Sequence, residues 1–276
     1  MKKIIALILA LSTMAFAGCG SKTNGNANSE ATPKTKTESD YDYIKGKGTM
    51  KIGMTLFSPM DYYDDNNELT GFEVDFGKAV CEKLGVKPEF VEIKWDSKEM
   101  ELGSKSVDCL WNGLTITDDR KANMSISNPY MKNEQVLIVK KDNADKFKES
   151  IKDAKVVAEQ GSAGEELATG EEEFFAGVNF TPVDSQAKAL MEVESGISDV
   201  AVVDYVMSIG SIGEGTDFSD LVVVDGKQFS PEEYGIAFRK GSDVTAKVND
   251  VIKELTADGT LDEIAAKYKL EESLIK

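Results

Sequence analysis

From Met50 onward, short apolar runs alternate with stretches in which apolar residues recur every three to four positions, and this order predicts an α/β fold. The predicted strands are KIGMTLF (51–57), PEFVEI (88–93), VDCLWNG (107–113), VLIVKK (136–141), SDVAVVD (198–204) and EYGIAFRKG (233–241), while KVVAEQGSAGEEL (155–167) reads as strand, turn and helix start. In GFEVDFGKAVCEKLG (71–85), Phe72, Phe76, Val80 and Leu84 fall four apart with Ala79 beside them, and Lys78 and Glu82 lie opposite. That spacing predicts an amphipathic helix closed by Gly85. Shorter helices are expected near 97–104 and 186–195. Two more fill the tail, on Val244, Val248, Val251 and Leu255, then on Leu261, Ile264, Ala265 and Tyr268, with Thr260 and Glu263 placed as a capping box.

The first forty residues follow a different pattern. Lys2 and Lys3 precede the apolar run IIALILALSTMAFA (4–17) and a small-residue end, the order of a secretory signal and too short for a secure membrane span. Phe16-Ala17-Gly18-Cys19 resembles the lipobox of bacterial lipoproteins, which implies cleavage before Cys19 and lipidation of its sulfur; an ordinary signal peptide with an incidental Cys19 is the alternative. Two or more acyl chains would anchor the protein stably. Residues 20–40 hold no Val, Ile, Leu, Met or aromatic side chain, so they lack the apolar surface to offset chain entropy. They are expected to form a lipidated, flexible tether with a reach of roughly 25 Å.

Composition narrows the function classes. The formal charge is −17, and loss of residues 1–18 removes Lys2 and Lys3, leaving 30 basic against 49 acidic side chains, or −19. Such a chain is a poor nucleic-acid partner, because that binding needs Lys and Arg against phosphate. With no His and three Cys, a His/Cys zinc site and a His-dependent triad are excluded, and no metal or cofactor is expected. Cys81 and Cys109 stand in an apolar helix and an apolar strand, where a disulfide and two buried thiols are both open.

Several segments in this order resemble the amino-acid-binding branch of the periplasmic binding proteins, the family 3 solute-binding proteins. The carriers are GFEVDFGKAVCEKLG, Trp95 and LGSKSVD (102–108), NGLTITDDRKANMSISNPY (112–130), EQGSAGE (159–165), SDVAVVD, and YGIAFRKGSDVTAKVNDVIKELTADGTLDEIAAKY (234–268). The resemblance implies a type II fold, two α/β lobes joined by two crossover strands with ligand in the cleft between them. Lobe 1 is expected at 41–137 and 229–276, and lobe 2 at 138–228. The implied function is a monomeric, non-enzymatic receptor, lipid-anchored on the outer face of the cell membrane. It would capture a free amino acid by hinge closure and pass it to the permease and ATPase subunits of an ABC importer.

A free amino acid presents a carboxylate and an ammonium, and both must be paired when they leave water. By resemblance, Arg120 is the carboxylate partner, and its planar fork suits two-point contact. A surface arginine among acidic neighbours is the bland alternative. Thr115 matches a hydroxyl position, Gly113 a place where a bare carbonyl approaches the ammonium, and Asn112 lies beside them. In lobe 2, Gly161-Ser162 opens a helix, a natural anion site for the Ser162 hydroxyl; a plain N-cap is the alternative role, and the two are compatible. Asp204 matches the ammonium's carboxylate, with a helix cap as the simpler role. Phe57 and Trp95 match rings that sandwich the ligand's side-chain stem, though core packing is the commoner use of such residues. Glu159 matches a position that reads the ligand's side chain, and a carboxylate there favours a cationic or amide-bearing ligand. Asp61 either adds to that bias or faces water. Two other readings stand beside the receptor: a cyclohexadienyl dehydratase-like enzyme on the same fold, and a lipoprotein presenting ligand to a separate sensor.

Overall fold

The computed structural model describes residues 39–276, so the expected signal segment, the lipobox at Cys19 and most of the tether lie outside the described residues. Ser39 and Asp40, expected in the tether, belong to the body. Ser39 caps α1 (Asp40–Lys47) by accepting from the Asp42 N–H and donates to Asp243 at 2.6 Å, while Asp40 pairs with Arg239 at 3.0 Å.

The chain then lays down β1 (Thr49–Met54), the small pair β2 (Tyr62–Tyr63) and β3 (Leu69–Thr70), α2 (Phe72–Leu84), β4 (Lys87–Glu92), α3 (Lys98–Gly103), β5 (Cys109–Leu110), α4 (Asp118–Asn123) and β6 (Met124–Ile126). It passes into a second body through β7 (Met131–Lys140), followed by α5 (Ala144–Lys148), β8 (Lys155–Glu159), α6 (Ala163–Thr169), β9 (Asn179–Val183), α7 (Gln186–Ser195), β10 (Val200–Asp204) and α8 (Tyr205–Ser211). The long β11 (Leu221–Tyr234) returns it to β12 (Ala237–Arg239), α9 (Val244–Ala257) and α10 (Thr260–Lys267). Two five-stranded sheets result, ordered β4-β1-β5-β12-β6 and β11-β7-β10-β8-β9. β1 runs parallel to β4 and β5, and β8 parallel to β9 and β10, whereas β12 and the pair β7/β11 run antiparallel to their neighbours.

The strands of the second sheet are apolar on both sides because both faces are covered. Val136 and Ile138 of β7 join one core cluster and Leu137 and Val139 another; Ala201 and Val203 of β10 divide from Val200 and Val202 in the same way. In the first lobe α2 buries Phe72, Phe76, Val80 and Leu84 and ends at Gly85 as its spacing predicts. Phe76 meets the ring of Trp111 edge-on at 4.8 Å and that of Tyr130 at 5.5 Å.

Several expectations are corrected. EYGIAFRKG is not one strand: Glu233 and Tyr234 close β11 against Lys132 and Met131, while Ala237–Arg239 pair with β5 and β6 in the other sheet. An apolar run carries no mark of which sheet will receive it. The β7 strand begins at Met131, ahead of the expected Val136. Thr260 does not cap its helix; its hydroxyl donates to Asp258 at 2.6 Å, and Gly259 holds the cap position. Cys81 and Cys109 are free, buried thiols, and burial lifts the Cys81 thiol to about 12. Among the described residues no helix is long and apolar enough to cross a membrane, and no cluster of acidic or sulfur ligands is arranged to hold a metal.

Candidate functional site

The first wall of the site forms where β1 and β5 end side by side. Asn112 fastens these ends together. Its Oδ1 accepts from the Thr55 N–H at 2.9 Å and the Thr55 hydroxyl at 2.7 Å, and its Nδ2 donates to the Thr55 carbonyl and to Asp61. Its amide is thus occupied inside lobe 1. Asp61 does not face water: it is 0% exposed, and it shares a buried pocket with Glu73, whose carboxylate accepts from the Gly113 N–H at 2.9 Å and from the Tyr130 hydroxyl. Burial and the neighbouring Glu73 charge hold the Asp61 carboxyl well above its ordinary range. Gly113 has φ +55°, and a Cβ there would sit 2.8 Å from the Phe57 ring, so the close approach of this backbone requires glycine.

Arg120 lies in the first turn of α4, whose N-cap Thr117 accepts the Arg120 N–H at 3.2 Å. Only 4% of Arg120 is exposed, which removes the surface-arginine alternative. Its guanidinium donates to the Thr115 carbonyl at 2.9 Å and, across the cleft, to Glu166 of α6 at 3.1 Å. A guanidinium carries five N–H donors, so the fork has capacity beyond these two bonds.

The second wall is built on the ends of β8 and β10. The Asp204 carboxylate is buried, and its donors are the neutral amides of Asn133 (2.5 Å), Gln135 (2.8 Å) and Gln186. Burial raises its pKa while these amides pull it back. Asp204 stands at the head of α8 yet makes no side-chain cap bond, so the helix-cap alternative fails. Ser162 does cap α6, accepting from the Glu165 N–H at 3.1 Å, and Glu165 reaches back to the Gly161 N–H at 2.6 Å. Glu159 is 3% exposed and its Oε1 has no partner; burial and the Asp204 charge push its carboxyl up to about 8, against the pull of Thr55 and Lys98.

The walls touch. Lys98 of α3 donates to the Gly161 carbonyl at 2.9 Å, lies over the Trp95 ring at 5.1 Å, and is pushed down to about 8 by burial and by Arg120. Gly161 has φ +75°, and a Cβ there would lie 2.9 Å from the Asp96 backbone of the opposite lobe. Phe57 and Trp95 are both buried and belong to different core clusters, so the structure gives each a packing role.

Sequence reading missed Lys98, Asn133, Gln135, Glu166, Gln186 and Glu232. Asn133 and Gln135 carried a signal. Two amides at period two leading into the apolar run of β7 are costly to bury without partners, and Asp204 is that partner. Nothing local marked the others.

Two α/β lobes joined by the paired strands β7 and β11, with a buried arginine on one wall and an amide-held carboxylate on the other, define a type II periplasmic binding protein. The chain belongs to the bacterial extracellular solute-binding proteins, family 3, whose model matches residues 50–271. It is 32% identical over 233 residues to the L-cystine-binding protein TcyJ of Escherichia coli K12, covering 82% of this chain and 84% of that protein. It is likewise 32% identical to an L-arginine-binding protein of Pseudomonas aeruginosa, over 79% of this chain and 87% of the relative. Among solved structures, a substrate-binding protein of an ABC uptake transporter from Streptococcus pneumoniae with bound histidine superposes with a TM-score of 0.78 at 27% identity, over 87% of this chain and 99% of that one. An ancestral amino acid-binding protein described as a precursor of cyclohexadienyl dehydratase gives 0.73 at 35% identity, over 83% and 98%.

Proposed function

We propose that this protein is the lipid-anchored receptor of an ABC importer and that it captures a free amino acid with a cationic or amide-bearing side chain. The observation that carries the reading is the opposition of Arg120 on one lobe to Asp204 on the other. A buried guanidinium with donors to spare and a buried carboxylate surrounded by neutral amides together complement a zwitterion. Thr115, the Gly113 carbonyl and Ser162 supply polar contacts around it, Phe57 and Trp95 border the stem, and Glu159 reads the side chain. The unpartnered Glu159 oxygen supports that last role, because a cationic or N–H-bearing side chain would satisfy it. The relatives named for arginine and histidine support the ligand class, and the one named for cystine supports a free amino acid. Cys19 carries the anchor, and β7 and β11 act as the hinge on which the lobes close over ligand.

A thermal-shift screen of the purified protein against the twenty amino acids plus ornithine, citrulline and cystine tests this reading. Ligand at about a hundred times its dissociation constant stabilises by roughly 2.7 kcal/mol. A hit lost in Arg120→Ala supports the assignment, and silence across the panel overturns it. Glu159→Lys with unchanged ligand preference would sink the role given to Glu159.

The dehydratase reading keeps one observation in its favour. Glu159 holds its proton near neutral pH inside the cleft, as a general acid must. Turnover of a cyclohexadienyl acid by the purified protein is its test.

A further inference from the structure

Glu232, on the return strand β11, had no place in the sequence reading, and its surroundings give it one. Its carboxylate accepts the Thr115 hydroxyl proton from lobe 1 and, through Oε1, the Gln135 Nε2 at 2.7 Å. The same Gln135 nitrogen donates to Asp204 Oδ1 at 2.8 Å. One neutral amide therefore bridges two carboxylates, whose oxygens lie no farther apart than these two bonds laid end to end. Thr115, Glu166 and Glu232 also line an interlobe cavity of about 440 Å³, so Glu232 stands at a space a ligand can enter.

We infer that Glu232 is a second carboxylate for the ligand's ammonium, bracketing it together with Asp204 and turning the Thr115 hydroxyl into an acceptor aimed at the same cation. The inference rests on the amino-acid reading above. Two like charges sharing one amide repel each other, and a cation set between them relieves the repulsion that no neutral donor can. Because Thr115 gives its proton to Glu232, only oxygen lone pairs remain to face the ligand. A residue on β11 that grips both Thr115 and the ammonium also ties ligand entry to the hinge strands themselves.

The groups facing Glu232 are Asp204 on β10, Arg120 on α4 and Tyr234 on its own strand. Burial and Asp204 push its carboxyl up to about 7, against Thr115, Gln135 and Arg120. Ammonium binding should then draw it back into the ionised form.

The test is calorimetric titration of the same amino-acid panel into wild type, Glu232→Gln and Glu232→Asp at pH 6, 7 and 8. The Gln variant keeps the shape and one acceptor oxygen, toward Gln135, removes the charge, and offers an N–H to the Thr115 hydroxyl, which can turn to accept it. Its affinity is expected to fall below wild type by about two-fold at pH 6 and about ten-fold at pH 8, the pattern of a group near 7 whose pKa drops about one unit on binding. Glu232→Asp, which keeps the charge, should retain the wild-type pH trend and serves if the Gln variant fails to fold. Wild-type affinity in Glu232→Gln at every pH, or a flat profile in both wild type and Glu232→Asp, overturns the inference alone. No binding by wild type to any amino acid overturns the underlying reading instead.

Discussion

Arg120 of α4 and Glu166 of α6 meet across the cleft, Nη2 to Oε1 at 3.1 Å, one nearly buried and the other with 59% of its side chain exposed. The Glu166 carboxylate thus takes a guanidinium donor that a ligand carboxylate would also seek. Arg120→Ala should weaken amino-acid binding by at least about a hundred-fold, as loss of one partner of a buried charged contact does. Glu166→Gln should tighten it by about two- to five-fold, the scale of an exposed ion pair. Isothermal calorimetry on both variants separates these outcomes; weaker binding in Glu166→Gln would show that this glutamate assists ligand capture.

The lobes approach each other at glycine. Gly210 of α8 faces Pro59, where an added Cβ would lie 2.8 Å from the ring, and Gly161 faces the Asp96 backbone. Gly210→Ala and Gly161→Ala should hold the lobes apart and reduce affinity by about ten-fold, since such overpacking costs on the order of 1–3 kcal/mol. Small-angle scattering of ligand-saturated protein should give a larger radius of gyration for each variant than for wild type.

The cleft carboxyls set a pH dependence. Glu159 and Glu232 have folded pKa values raised to about 8 and about 7 from 4.5, so the ligand-free closed protein binds more protons than the unfolded chain between those limits. Their contribution to stability is complete below about pH 4.5 and is lost as pH rises through 7 and 8. Urea unfolding of ligand-free protein should give a midpoint that falls from pH 5 to pH 8.5, and Glu159→Gln should flatten that decline. Carboxyls such as Asp75, held down by Lys267 and Tyr268 despite burial, act with the opposite sign on the acid side.

Phe76 is the keystone aromatic of lobe 1, fully buried against Trp111, Tyr130 and Phe72. Phe76→Ala should destabilise by about 3–5 kcal/mol. Denaturant titration reads this as a lower midpoint with little change in slope.

Much of the architecture was legible from local pattern. The spacing of Phe72, Phe76, Val80 and Leu84 placed α2 to its last turn, and VAVVD and KVVAE became β10 and β8 where the apolar runs put them. At the site, Arg120, Thr115, Ser162, Asp204 and Glu159 were all singled out, and the structure brings them to the facing ends of the two lobes. Legibility stopped at the partition of EYGIAFRKG between two sheets, at the Thr260 cap, and at Glu232 and Lys98, whose neighbours are distant in the chain.

By itself, the sequence determined what depends on neighbours a few residues away: helix faces, apolar strands, glycine stops, and an acidic chain without histidine. Tertiary structure alone decided which carboxylates share an amide, which stay buried without a partner, and where one lobe meets the other. Those outcomes depend on desolvation and on distances between groups such as Thr115 and Glu232, far apart along the chain, which no local pattern encodes.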